Sequence, residues 1–515
     1  MKWILLPDVP VSGALREAVG GHPLVAETLA RRGYTEPSEA LAFLNPDHYT
    51  PAPPTALPNV EEIVDRLLIS IGRQERILVW GDFDVDGQTS TALLVDSLEN
   101  LGAVVEHRIP HRLHEGHGIR PAVLQRYIDA GIETLITCDT GIADHEAVEL
   151  ARRNHVEVII TDHHTPPPTL PDTPFITNPH LLPLDHPLRN LPGVGVAYKL
   201  VQALYEATGE PKKAARLLDL VALGIVADVA VQRHDTRYLL QRGIDRLRNS
   251  ARTGLQALMQ SAGVDPRHLS ADTIGYQIGP RLNALGRLDD ATLAVTLLTT
   301  EDQSQAQQIA AQLELLNNKR KQISDQIYAA AQEQIIKDPS LLNFDALVLA
   351  APRWHAGVLG IAAARLVEQY ERPTILLTIP EEGAAHGSAR SVPGVDIGAA
   401  IAANADLLIR HGGHPGAAGL SLDPDLIPQF RRRLSTTVRE TWDRSIVTGL
   451  SVDAQVSLSD LSLDLAEQID RLSPFGEGNP PLHLMTTGLR LETHVGFGHN
   501  KQHRRLTVVD EEGIQ

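Results

Sequence analysis

The chain has 515 residues, enough for more than one domain and more than one apolar core. Its 46 Lys and Arg stand against 64 Asp and Glu, a net charge of −18, so no global basic field marks a plain nucleic-acid-binding module. One cysteine, Cys138, excludes an intrachain disulfide and a four-cysteine zinc site.

The start, "MKWILLPDVPVSG", is a poor signal peptide, because its short apolar run is followed by Pro7 and Pro10. No run approaches the ~18 apolar residues that a membrane span needs. A soluble, cytoplasmic protein is expected. Residues 1–57 read as a small helical lead-in, with "LVAETLARRGY" and "SEALAFLNP" before the proline-rich "TPAPPTALP". Residues 58–260 alternate apolar strands with helices, which predicts a mainly parallel α/β sheet covered on both faces. The strands are "RILVW" (76–80), "VVEHRI" (104–109), "TLITC" (134–138) and "VEVIIT" (156–161), and helices fill residues 183 onward. Residues 261–340 form a connector whose long helix carries Ala306, Ile309, Leu313, Leu316, Ile323 and Ile327 at helical spacing, interrupted by Arg320. A second α/β unit is expected over 341–448, and a small, incomplete β domain over 449–515.

The first, third and fourth strands each run into an acidic or histidine group: "GDFDVDG", "CDTG" and "TDHH". Ligands bind beyond the carboxyl ends of such strands. Three acidic groups at one sheet edge therefore predict a site for hard divalent ions, above all Mn²⁺ or Mg²⁺. The candidates are Asp82, Asp84, Asp86, Asp139, Asp162, His163, His164 and Asp228. Asp82 and Asp84, two apart, are expected to share a strand face, and Gly87 to permit the turn into the next helix. Any single aspartate could instead be a helix cap. Two ions bridged by a carboxylate are a common engine for phosphoester hydrolysis.

These motifs, with "GIVADVA", resemble those of the DHH phosphoesterase superfamily. "ARRGYTEPSEALAFLNP", "HEGHGI", "GVGVAYKL", "GPRLNALGRLDDA", "WHAGVLGIAAARL", "GSARSVPG", "GGHPGAAGL" and "SPFGEGNP" extend the resemblance to RecJ-type single-strand-specific exonucleases along essentially the whole chain. The resemblance implies a parallel-sheet DHH domain, a long connecting helix, a DHH-associated α/β domain and an oligonucleotide-binding-like β domain. It implies two ions held by Asp82, Asp84, Asp139, His163 and Asp228, with Asp139 bridging and His164 catalytic. Related phosphoesterases carry a histidine four residues before Asp82, where this chain has Leu78, so Asp86 is expected to contribute there, directly or through water.

The implied substrate wall is the second unit, with His355, Ser388, Arg390, Ser391, Gly413 and His414 near the phosphates. Its glycines are expected to let backbone N–H groups approach a phosphate. Arg281 and Arg287 are expected to contact the nucleic-acid backbone, since arginine matches phosphate with two donors. "GVGVAYKL" lacks a third glycine and a GK[ST] ending, so helix packing is expected. His111, His114 and His117 lie in a polar loop and are expected to be phosphate contacts at most. The function implied is 5′→3′ degradation of single-stranded DNA to mononucleotides in repair and recombination. The expected chain is a monomer that works with single-strand-binding protein and a helicase. The alternatives are a phosphoesterase for short oligonucleotides or cyclic dinucleotides, which would lack the lead-in and the tail, and an inactive replication scaffold, which would have lost metal ligands.

Overall fold

The computed structural model describes residues 2–112, 114–446, 449–498 and 503–514. The expected domain limits at residues 1, 448 and 515 lie outside them. No helix among the described residues is long and apolar enough to cross a membrane.

The first sheet is wholly parallel, with strands β1 (Arg76–Trp80), β2 (Val104–Arg108), β3 (Thr134–Cys138), β4 (Glu157–Thr161) and β5 (Phe175–Thr177) in the order β2-β1-β3-β4-β5. Alternation divides its side chains between two cores. Ile77, Val79, Ile136, Cys138 and Ile159 join one core. Leu78, Trp80, Leu135, Val158 and Ile160 join the other. Both faces are apolar because helices cover both, which is why these strands read as continuous apolar runs. Helix α1 (Val85–Asn100) follows β1, and α2 (Gly193–Ala207) and α3 (Leu218–Ala227) pack against it.

Helix α4 (Gly279–Leu288) leads toward the 35-residue α5 (Gln303–Lys337), about 52 Å long at 1.5 Å per residue. Asp302 caps α5 by accepting from the N–H groups of Ser304 and Gln305. Ala306, Ile309, Ala310 and Leu313 of α5 pack into the first unit. Ile327, Ala331 and Ile335 pack into the second. Between them Asn317, Arg320 and Ser324 replace the apolar stripe, so the helix changes from one core to the other across a polar gap.

The second sheet is mixed. Strands β6 (Leu347–Pro352), β7 (Thr374–Ile379), β8 (Ala385–Arg390), β9 (Arg410–His414) and β10 (Ala417–Leu422) lie in the order β9-β10-β8-β7-β6. Only β6 and β7 run parallel. "GSAR" is thus strand and "GGH" an edge strand of a hairpin.

The lead-in is not wholly helical: Lys2–Leu5 forms a strand paired in parallel with Gly449–Val452. Its helices share a core with Leu472, Phe475 and Leu482, so "SPFGEGNP" packs on the chain's own start. Arg237 ties these parts together, donating to the carbonyls of Phe43, Leu472, Ser473 and Pro474. Beyond them, Arg490–Phe497 and His503–Val509 form an antiparallel hairpin.

Candidate metal centre and facing arginines

Asp82 and Asp84 do not share a strand face. The strand ends at Trp80, and both lie in the turn before α1. The turn is closed by Asp84, whose Oδ1 accepts from Gly87 N–H at 3.1 Å as the cap of α1. Gly87 is not the hinge of that turn but lies within the helix's first turn. A Cβ there would sit 2.4 Å from the carbonyl oxygen of Asp82. The glycine is needed for close approach.

Asp139 follows β3 in the left-handed region, φ 60°, an uncommon conformation for a residue with a side chain. Its side chain leaves no room for a Cβ at Gly193, which would lie 2.6 Å from Asp139 Cβ. This explains the first glycine of "GVGVAYKL" as packing. Asp86 is fully buried and accepts from Gly193 N–H at 2.6 Å and Val194 N–H at 2.9 Å, capping α2. Asp86 thus caps α2 while also lying 3.8 Å from His163 Nε2, within reach of the same candidate ligand group. Asp228 ends α3 and is followed by Val229 at φ 57°.

Three overlapping groups of ligand atoms result, each within 4.8 Å: Asp82, Asp84 and Asp139; Asp86, His163 and Asp228; Asp139, His163 and His164. His163 Nε2 lies 3.0 Å from Asp139 Oδ1. Burial holds the His163 imidazole below its usual pKa, hence neutral and able to coordinate. Burial, and then mutual repulsion, raise Asp86, Asp139 and Asp228. Asp86 is pushed up to about 7 with Asp228 as its main neighbour, and Asp228 to about 7 with Asp84. Asp139 is raised well above the carboxylate range by burial and then by Asp86. Oδ1 of Asp82 is buried without a hydrogen-bond partner, and Oδ1 of Asp139 makes no well-aligned hydrogen bond, His163 Nε2 being its near neighbour. Orphaned oxygens in a crowd of unwilling anions fit divalent cations.

Asp162 is not among these groups. Burial alone would raise it, but hydrogen bonds from His164 and the backbone hold it low. Its Oδ1 meets His164 Nδ1 at 2.8 Å, and its Oδ2 accepts from Ile142 N–H at 3.0 Å. The bond to Asp162, more than the opposing burial, pushes His164 up to about 9. Cys138, one residue before Asp139, is buried with its thiol pushed up to about 12, so it is inert.

The second unit meets the first at Arg287, whose Nη1 donates to Gly357 O at 3.0 Å. Burial pushes Arg287 down to about 9, reinforced by Arg112, Arg320 and Arg390. Burial and then Arg112 also lower Arg390, which donates to Ser388 Oγ at 3.2 Å. Arg112 lies 4.7 Å over the Phe83 ring, and Asp82 and Asp84 oppose the burial that lowers it. Arg112 is therefore within electrostatic reach of both the acids and Arg390. Sequence reading passed over it for its histidine neighbours, although it leaves β2 at the same sheet edge as the aspartates. His355 Nδ1 is buried without a partner, and its ring lies beside Gly357, the glycine that Arg287 contacts.

Other expected contacts are committed elsewhere. Arg281 Nε pairs with Glu314 at 2.6 Å and its Nη1 donates to Gln277 O, which makes it a tie between α4 and α5. Ser391 Oγ donates to Val395 O at 2.7 Å. Gly413 has φ +148°, and a Cβ there would lie 2.4 Å from Ala418 Cα, so strand pairing already requires a glycine there. His414 is exposed on the edge strand.

Residues 76–225 match the DHH family, N-terminal domain, residues 343–440 the DHHA1 domain, and residues 452–515 the RecJ OB domain. A single-stranded-DNA-specific exonuclease RecJ from Bacillus subtilis is 35% identical over 99% of this chain, which spans 64% of that protein's length. The Salmonella typhimurium enzyme of the same name is 36% identical, with 82% of this chain and 77% of that protein covered. The crystal structure of Thermus thermophilus RecJ in complex with Mn²⁺ superposes with a TM-score of 0.84 at 30% identity, covering 98% of this chain and 74% of that one. The same protein in complex with Mg²⁺ gives 0.76 at 28% identity, covering 98% and 71%. With three domains matched in order and that identity sustained along the chain, it belongs to the RecJ family of single-stranded-DNA-specific exonucleases.

Proposed function

We propose that the chain is a metal-dependent exonuclease that hydrolyses single-stranded DNA from its 5′ end, releasing mononucleotides. One observation carries this reading: buried acids and imidazoles at one sheet edge bring their ligand atoms within 4.8 Å of one another, within electrostatic reach of Arg112. Two Mn²⁺ or Mg²⁺ ions are assigned to the carboxylates. Asp82 and Asp84 would hold one, His163 and Asp228 the other, with Asp139 bridging and Asp86 supporting from α2. When bound, such ions acidify a water and offset charge on the phosphoryl oxygens.

The chain's own side chains supply the rest. Asp162 occupies His164 Nδ1, which leaves Nε2 free to donate a proton to the departing oxygen. The raised His164 imidazole carries that proton at neutral pH. Arg390, Ser388 and Arg112 grip a phosphate with charge-assisted hydrogen bonds, Arg287 and His355 lining the same gap. A flexible strand threads such a gap more easily than a stiff duplex. Single-strand-binding protein and a helicase, which keep DNA unpaired, are the proposed partners in repair and recombination. The proposed working form is a cytoplasmic monomer.

The test is digestion of end-labelled DNA, single-stranded against blunt duplex, with Mn²⁺ or EDTA. Loss from the 5′ end of the single strand is expected. Equal rates on both substrates, or removal from the 3′ end, would sink the reading.

A further inference from the structure

We propose that His117 is a positioning residue of the metal centre, holding Asp82 Oδ2 so that Asp82 Oδ1 is turned toward the first ion. The inference rests on the metal-dependent reading above.

Two of the three groups of ligand atoms contain an imidazole, but Asp82, Asp84 and Asp139 contain none. The strand beneath offers no substitute, since Leu78 is buried in the core. His117 arrives from the loop after β2, and its Nδ1 lies 3.3 Å from Asp82 Oδ2. Oδ1 of the same carboxylate is buried without a partner. One oxygen is thus anchored at the rim while the other points inward, an arrangement that fixes a metal ligand's orientation.

The loop is built to hold the ring there. His117 packs on Phe83, ring centroids 4.4 Å apart, directly beside Asp82 in the chain. On one side Glu115 accepts from His111 N–H at 3.0 Å and pairs with Arg108. On the other, Asp144 Oδ2 accepts from Ile119 N–H at 3.1 Å. Gly118 takes φ +82° so close to Asp144 that a Cβ would lie 2.5 Å from its Oδ1. Pinned on both flanks, the loop cannot swing His117 away without breaking these bonds. The side chain is nonetheless 72% exposed, so its replacement should leave the core untouched.

Mn²⁺ titration of the full chain, followed by the EPR signal of the free ion, reads each site separately. His117→Phe keeps a ring on Phe83 and removes the donor. It should weaken one of two Mn²⁺ sites about ten- to a hundredfold, the range for lost partners of metal ligands. His117→Asn, whose amide reproduces an N–H near the Nδ1 position, should return that site close to wild-type affinity. The thermal midpoint in EDTA should not change in either variant. Wild-type affinity at both sites in His117→Phe would overturn the inference, as would equal loss in the Phe and Asn variants. A wild-type chain that binds no Mn²⁺ would overturn the metal-dependent reading itself, and this inference with it.

Discussion

Nδ1 of His164 lies 2.8 Å from Oδ1 of Asp162, and this contact sets the charge of the imidazole. His164 is raised to about 9, first by that hydrogen bond. A protonated donor works below its pKa, so turnover should fall as pH rises through the His164 value. Asp162→Asn removes the carboxylate and should move that alkaline limb toward the ordinary histidine value near 6.5. His164→Ala should retain single-strand binding and lose turnover by about a hundredfold or more, within the range for a lost general acid. Unchanged limbs in Asp162→Asn would remove His164 from the proton path.

Metal affinity should depend on pH in a definite direction. Asp86 and Asp228, raised to about 7, hold protons below that pH. A cation must displace them, so Mn²⁺ binding should strengthen from about pH 6 to about pH 8 and release protons. Without metal the sign for stability is opposite. The folded chain binds protons that the unfolded chain has lost, so these groups' contribution to stability falls between about pH 4 and about pH 7. Calorimetry in buffers of different ionisation enthalpy counts the released protons, and a count of zero would contradict the raised values.

Asp139→Ala should remove Mn²⁺ binding and lower turnover on the order of a hundredfold or more, as expected when metal catalysis is lost. EDTA should abolish the activity of the wild-type chain, and Mn²⁺ or Mg²⁺ should restore it. Near-normal turnover in Asp139→Ala would make Asp139 a packing residue.

Arg390→Ala and Arg112→Ala test the opposite wall. Each removes a charge-assisted contact worth about 1.5–3 kcal/mol, or roughly ten- to a hundredfold in single-strand affinity measured in Ca²⁺. Arg281→Ala should be milder on binding, because Arg281 is spent on Glu314. Normal DNA binding by Arg390→Ala would mean that the second sheet is not the substrate wall.

Gly193→Ala should disturb the metal centre without touching a ligand. The added methyl would lie 2.6 Å from Asp139 Cβ, and relieving that contact moves the carboxylate proposed to bridge the two ions. Overpacking of this kind costs about 1–3 kcal/mol of stability, readable as a lower thermal midpoint. Mn²⁺ affinity should drop with it, and wild-type values of both would contradict the close approach.

The amino-acid sequence by itself determined where four of the first sheet's five strands run, missing only the short Phe175–Thr177, and that acidic groups crowd one edge of that sheet. Both signals are local: apolar runs such as "TLITC" mark buried parallel strands, and Asp139 follows directly. Helix α5 was equally legible, down to its interruption at Arg320. The uses of the polar residues were decided only by the tertiary structure, because a carboxylate's role depends on which donors face it. In sequence nothing separates the tasks of Asp86 and Asp162 from those of the other acids. The N–H groups of Gly193 and Val194 make Asp86 a helix cap, and His164 makes Asp162 an orienting partner. Gly87 reads as a turn and Gly413 as a phosphate cradle until packing shows whose atoms a Cβ would strike, whereas the packing role of Gly193 was already legible. Arg112 and His117 acquire meaning only when their loop folds over Phe83. The pairing of Lys2–Leu5 with Gly449–Val452 could not be seen locally either, since strands so far apart in sequence leave no periodic signal of their partnership.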